Sequence, residues 1–313
     1  MRLGRREFRQ FLNENLVELA NKGIAKCVAS NLKWGEGPAY FELAKGWVFS
    51  DIPNNRMLSW NRQVGLQTFR DPSQFSNGNT IASDGSLLTC EHGLRRVTRT
   101  DLSGRYEVLC DAFEGKRLNS PNDIIEHDDG SIWFSDPTYG ILSDSEGYRA
   151  LAEQTANRVY RLDPATRELE AQIDQLKMPN GLCFSPDFHF LYVADSAADM
   201  GPEVPFDEAG PRNVYMFRLD ERGRVTGQGH LLVRVPKGVP DGVRCDEEGY
   251  LWIATGEGIQ CVSPDGRNSA LLRSPETVSN LSFGSVDGTE LFITLATSAY
   301  VVSLVDVDDR GKK

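Results

Sequence analysis

Asp129-Gly130-Ser131-Ile132-Trp133-Phe134-Ser135-Asp136 decides how the rest of the chain is read. It is a turn dipeptide followed by a short apolar, β-rich run that stops at Ser and Asp. The pattern recurs upstream as Lys45-Gly46-Trp47-Val48-Phe49-Ser50-Asp51 and as Asp84-Gly85-Ser86-Leu87-Leu88-Thr89. Downstream it returns as Asp187-Phe188-His189-Phe190-Leu191-Tyr192-Val193-Ala194-Asp195 and as Glu248-Gly249-Tyr250-Leu251-Trp252-Ile253-Ala254-Thr255. Asp287-Gly288-Thr289-Glu290-Leu291-Phe292-Ile293-Thr294 completes the set. Anchors at 47, 87, 132, 191, 251 and 291 lie 40, 45, 59, 60 and 40 residues apart. That is the period of a four-stranded propeller blade, with insertions of about 15 to 20 residues in two blades.

Each copy is followed by another strand-like run, such as Asn157-Arg158-Val159-Tyr160-Arg161-Leu162 and Asn213-Val214-Tyr215-Met216-Phe217-Arg218-Leu219. No helical pattern of 10 to 15 residues separates the strands, so a parallel α/β fold is excluded. The expected fold is all-β: a six-bladed β-propeller over 24–313, preceded by a short helical extension over 1–23. The apolar run Ile24-Ala25-Lys26-Cys27-Val28-Ala29 is expected to add an outer strand to the last blade and so close the ring.

Composition narrows the partners. With 40% hydrophobic and 25% charged residues among 313, the chain can bury a large core. Its net charge of −11 argues against nucleic acid, which needs a basic footprint, and is compatible with a bound cation. No window approaches 18 apolar residues, so no membrane-spanning helix is expected. Arg5-Arg6-Glu7-Phe8 resembles the start of a twin-arginine export signal, but Asn13, Glu14, Asn15 and Glu18 interrupt the apolar stretch that should follow. The segment reads instead as a short surface helix of a cytoplasmic protein. The six cysteines, widely spaced and without a CxxC pair, read as reduced core residues.

A second feature keeps phase with the repeat. Stepping back 11, 10, 10, 11, 10 and 11 residues from the anchors lands on Glu36, Asn77, Asn122, Asn180, Asp241 and Asn280. In a propeller the innermost strand of each blade runs along the central channel, so one phase of six blades makes a ring around the axis. Two carboxylates and four carboxamides are the oxygen ligands that a hard divalent cation takes. Asn-Gly and Asp-Gly are also ordinary turn dipeptides, and any one of these residues alone reads that way. Six in register do not, because a purely structural strand prefers β-branched residues.

The order and spacing of these motifs resemble the gluconolactonase, senescence-marker-protein and luciferin-regenerating-enzyme family of six-bladed propellers. The resemblance is carried by Glu36-Gly37-Pro38, Ser50-Asp51-Ile52-Pro53-Asn54-Asn55-Arg56, Pro121-Asn122-Asp123 and Ser135-Asp136-Pro137-Thr138-Tyr139-Gly140. It continues in Pro179-Asn180-Gly181-Leu182, Leu191-Tyr192-Val193-Ala194-Asp195-Ser196 and Pro240-Asp241-Gly242. It implies one divalent metal ion held by Glu36, Asn180 and Asp241, with Asn122 near both metal and substrate. Ca2+ is the first candidate, and Mg2+, Mn2+ and Zn2+ stay open. Family members often carry an Arg two residues before that Asn to hold a sugar lactone. This chain has Ser120 there, and neither Arg117 nor Arg149 is placed by sequence to compensate.

The chemistry this implies is hydrolysis of a small-molecule lactone, a sugar lactone such as gluconolactone foremost. A metal on the axis would polarise the carbonyl, and Asp241 is the candidate general base, with a role as ligand alone left open. Asn122 and Ser120 are substrate-side candidates, with Asp136 and Tyr139 as pocket walls. Asp195 reads as a supporting carboxylate or a strand-end cap. His92 follows a repeated strand at the channel end, where it could shuttle protons or touch substrate, or be a hydrogen-bonded loop histidine. No GxSxG elbow supports a serine esterase. A metal-dependent arylesterase or phosphotriesterase and a non-catalytic propeller scaffold are the alternatives. The insertions over 140–156 and 197–212, the second with Asp199, Met200, Glu203 and Phe206, are expected to form rims or lids.

Overall fold

The computed structural model describes residues 5–201, 203–285 and 288–303, so Asp287 of the sixth repeat lies outside the described residues. Six four-stranded antiparallel sheets are arranged as the blades of a propeller. The repeated runs are the second strands of the blades: Gly46–Asp51, Leu87–Glu91, Ile132–Asp136, Phe190–Asp195, Leu251–Thr255 and Glu290–Leu295. They are apolar almost throughout because both faces are buried between neighbouring blades, and five of the six carry no exposed or half-buried position. Outer strands face water on one side and are polar, as in Gly65–Arg70 and Val225–Arg234.

One apolar layer fills each gap between adjacent blades. Trp47 and Phe49 of blade one, for instance, pack on Phe292 of blade six, with ring centroids 5.0 and 5.2 Å apart. The expected closure is present: Ala25–Ser30 pairs with Ser298–Ser303, Ala25 opposite Val302, as the outermost strand of the sixth blade. The last blade is thereby tied by both ends of the chain.

The N-terminal segment differs from the surface helix expected of it. Arg5–Phe11 is a 3-10 helix and Leu16–Asn21 an α-helix capped by Asn15, whose side chain accepts from Val17 N at 2.8 Å. Phe8, Leu16 and Leu19 are buried in the layer between blades five and six, beside Trp252 and Ile293. Asn13 N also donates to Leu271 O, and Arg273 N to Glu14 O. The polar residues that interrupt an export signal are what let this segment lie across the propeller with one apolar face inward.

The inner strands are Gly35–Phe41, Ser76–Ile81, Ile124–Glu126, Pro179–Phe184, Val243–Cys245 and Val278–Gly284. Four carry a register shift at the ring residue, between Glu36 and Ala39, Ser76 and Asn79, Pro179 and Leu182, and Val278 and Asn280. A bulge at this point re-aims the side chain out of the pleat and toward the axis. The glycines that follow are explained by ring closure. A Cβ on Gly37, Gly78, Gly181 or Gly242 would overlap the ring residue of the next blade, respectively Asn77, Asn122, Asp241 and Asn280. These X-Gly pairs are therefore not turns; they let adjacent inner strands touch backbone to backbone.

Candidate active site

The ring residues form the floor of a cavity of about 520 Å3 at one end of the axis. Five of the six line it: Glu36, Asn77, Asn122, Asn180 and Asp241. Asn280 does not. Its Nδ2 donates to Glu36 Oε2 at 2.9 Å and its Oδ1 accepts from Leu281 N at 2.8 Å, so it is a strut that holds Glu36. Gly37 N gives Glu36 Oε2 a second hydrogen bond at 2.8 Å, leaving Oε1 free of both. Asn180 hydrogen-bonds the carboxylate of Asp241.

Charge on the floor is only partly balanced by the protein. Burial pushes the Glu36 carboxyl up to about 8, and Asp123 adds to the shift. Burial also raises Asp241, followed by the charges of Glu36, Asp123 and Glu146. The nearby buried cation is already engaged. Arg244, on the inner strand of blade five, reaches across the channel to Asp123 of blade three, Nη1 to Oδ2 at 3.0 Å. Burial works against the charge of Arg244, and Asp123 more than restores it. This pair crosses the axis, and the charge of the same guanidinium also favours ionised Glu36, though less than burial disfavours it.

Among the described residues no three His, Cys, Asp or Glu side chains cluster closely enough to hold a metal ion by themselves. The donor set here is different in kind: two carboxylates, plus the amide oxygens of Asn122 and Asn180, with Asn77 Oδ1 buried and unpartnered beside them. An all-oxygen set that includes two carboxylates fits a hard divalent cation.

The remaining sequence candidates separate into wall residues and supports. Tyr139 lines the cavity, and its hydroxyl donates to Asp199 O at 2.9 Å. Ser120 does not line it: fully buried, it donates to Pro137 O and accepts from Gly140 N, pinning the start of the first insertion. Asp136 is equally buried, and its Oδ2 accepts from Asn119 N at 2.8 Å. Asp195 accepts from Lys177 N and Met178 N, a strand-end cap on the loop that leads to Asn180. His92 is fully buried behind Asn77 rather than on the wall. Its Nδ1 meets Glu146 O at 3.0 Å and its Nε2 meets Asn77 Nδ2 at 3.1 Å. A carbonyl accepts only, so Nδ1 carries the proton and Nε2 accepts from Asn77. Burial lowers His92 to about 4, so it is neutral near pH 7.

Both insertions reach the cavity, as expected of rims: the first through Ser145 and Glu146, the second through Asp199, Gly201 and Phe206. Neither Arg117 nor Arg149 lines the wall; Arg149 pairs with Glu203 at 2.7 Å on the outside, tying one insertion to the other. Lys33, Trp34, Glu146 and Val239, which line the cavity, and the Arg244–Asp123 pair were not singled out from sequence. Arg244 carried one signal, a lone charge on an inner strand.

Residues 34–297 match the family described as SMP-30/Gluconolactonase/LRE-like region. The chain belongs to this family. It is 33% identical to the gluconolactonase of Zymomonas mobilis over 291 residues, 85% of this chain and 77% of that one. A gluconolactonase structure from Xanthomonas campestris superposes with a TM-score of 0.80 at 34% identity, covering 90% of this chain and 89% of the other. A calcium-binding regucalcin from Agrobacterium tumefaciens shares the fold, with a TM-score of 0.67 at 20% identity, covering 88% and 93%. Among the described residues no helix is long and apolar enough to cross a membrane.

Proposed function

We propose that this propeller opens lactones by hydrolysis at its axial carboxylates, with a divalent cation, Ca2+ first, held by Glu36, Asn180, Asp241 and Asn122. That the chain is a lactonase rests on its family and on relatives named gluconolactonase and pentonolactonase. A sugar lactone is the substrate to try first, on the strength of the Zymomonas and Xanthomonas relatives. The calcium assignment leans on the regucalcin neighbour and on the all-oxygen donor set. A cytoplasmic location is part of the same proposal, in keeping with four of the six cysteines being buried core residues.

The observation that carries the reading is the Glu36 and Asp241 pair, lying at the bottom of a lactone-sized cavity while Arg244 is committed to Asp123. A divalent cation there would polarise the lactone carbonyl and acidify a neighbouring water. Asp241, as general base, takes a proton as the water oxygen bonds to the carbonyl carbon. It returns that proton to the ring oxygen when the ring C–O bond breaks, giving the open hydroxy acid. Asn122 holds the substrate by amide hydrogen bonds, and Trp34, Tyr139 and Phe206 shield the reacting centre from bulk water.

The test is hydrolysis of lactones, aryl esters and phosphotriesters by chelator-treated protein, with Ca2+, Mg2+, Mn2+ or Zn2+ restored singly. Lactone opening that returns with a cation and is lost in Asp241→Ala supports the proposal. Preference for an aryl ester or phosphotriester would move the protein to the rival esterase chemistry, and no turnover of any class would leave a scaffold.

A further inference from the structure

A third carboxylate stands close to the axial pair without lining the cavity. Asp123 directly follows Asn122 on blade three, and its side chain is only 1% exposed. It is fixed from two sides. Its Oδ1 accepts from Ile124 N at 3.0 Å, and a Cβ on Gly78 of blade two would strike both its Cα and that same oxygen. Burial raises the carboxyls of Glu36 and Asp241 most, and the charge of Asp123 adds to each shift.

One guanidinium answers this third charge. Arg244 lies three residues beyond Asp241, and its Nη1 donates to Asp123 Oδ2 at 3.0 Å and to Val243 O at 2.8 Å. Among the described residues its one ion pair is with Asp123. The bond ties the segment that carries Asn122 to the segment that carries Asp241, two blades away. Around the floor, Glu36, Asp123 and Asp241 bring three negative charges when ionised and Arg244 one positive, which leaves two. Glu146, whose charge also reaches Asp241, stands on the first insertion, where burial and Asp199 raise it to about 7. Two negative charges match one divalent cation, and a matched site avoids a net charge in a medium that solvates charge poorly.

We propose that Arg244, by its bond to Asp123, sets the charge of the axial floor to that of one divalent cation, and so fixes the valence of the ion that the floor prefers. Arg244 is a positioning residue that acts through Asp123, since a guanidinium has no lone pair with which to bind a metal. The inference rests on the cation reading above and adds the residues that choose among cations. Without Arg244 the floor would carry a third unanswered charge and favour a trivalent ion. Without Asp123 it would carry an unanswered guanidinium and favour lower valence.

The experiment titrates Ca2+ and, separately, La3+ into chelator-treated protein at pH 7 by calorimetry. The proteins are wild type, Arg244→Lys, Arg244→Met, Asp123→Asn and the double variant Arg244→Met/Asp123→Asn. The quantity read is the ratio of the two affinities, which a loss of folded protein does not move. A unit charge beside the floor acts on a bound ion in proportion to that ion's charge. Arg244→Met is therefore expected to raise the La3+ to Ca2+ ratio by about 10- to 100-fold, and Asp123→Asn to lower it by a similar factor. Arg244→Lys, which keeps the charge, and the double variant, which restores the balance, should both keep the wild-type ratio. If Arg244→Met does not fold, Asp123→Asn and the double variant carry the same test. A ratio unchanged by the single variants, or moved the same way by both, overturns the inference and leaves the cation reading standing. Failure of wild type to bind either ion overturns the cation reading itself, and this inference with it.

Discussion

Glu36 and Asp241 lie on the axis; Asp51 and Asp195 lie at the ends of second strands in the same repeats. All four are carboxylates largely withdrawn from water, and all four recur in phase with the blades. Asp51 accepts from Lys33 N, from Asn54 Nδ2 and from Arg56, with Arg56 Nη2 at 2.8 Å. Asp195 accepts from two backbone amides. Glu36 and Asp241 receive amide hydrogen bonds too, but Arg244, whose charge favours ionised Glu36, is hydrogen-bonded to Asp123, and burial raises both carboxyls. Strand-end carboxylates are satisfied by the fold that buries them. Axial ones are kept in want of a positive charge, and that difference separates a support from a site.

The largest effect should come from the axis. Asp241→Asn keeps shape and hydrogen-bonding size while removing charge and base, and lactone turnover is expected to fall by about 100- to 10,000-fold with little change in melting temperature. Assays of purified protein beside its melting curve check this; unchanged turnover would erase the contrast. At the strand end the effect should move to stability. Asp51→Ala strands the Arg56 charge and the Lys33 amide, and denaturant unfolding is expected to show a loss of about 3 to 5 kcal/mol.

Ring closure offers a smaller test. Gly242→Ala puts a methyl group into Asn280, the strut of Glu36, and is expected to cost about 1 to 3 kcal/mol of stability. It should lower turnover as well, whereas Gly65→Ala, in open space on blade one, should leave turnover as it is.

Asp136 sharpens the comparison, because it is a strand-end carboxylate left half satisfied. Its Oδ1 has no partner, and burial raises its carboxyl to about 7. The folded form therefore holds a proton that the unfolded chain, titrating near pH ~4, gives up. Stability from this residue is full below the unfolded value and falls as pH rises through roughly 4 to 7. Melting temperatures of wild type should drop between pH 5 and pH 8 relative to Asp136→Asn; parallel curves would show that the group is not buried as an acid.

The sequence was informative where one physical cause acted on every repeat. Burial on both faces made the second strands of all six blades apolar, and the narrow axis put a polar residue, often with glycine after it, at one phase. Single residues beside those positions were harder to place. Ser120, Asp136 and His92 follow or precede ring and strand-end residues closely, yet they face away from the cavity, held by contacts such as Ser120 to Pro137, Asp136 to Asn119 and His92 to Glu146 that no alternation along a strand encodes. Glu146 and Asp199 belong to insertions whose path is set by tertiary contacts such as Tyr139 to Asp199, which no local pattern encodes. Arg244 and Asp123 are 121 residues apart in sequence, and only the closed ring brings them across the channel.

The most direct test is a calorimetric titration of Ca2+ into chelator-treated wild type, Asp241→Asn and Asp195→Asn at pH 8. The account predicts one bound cation per chain in wild type and in Asp195→Asn, and none in Asp241→Asn. Binding by Asp241→Asn as tight as by wild type, or loss of binding in Asp195→Asn with the fold intact, would contradict it.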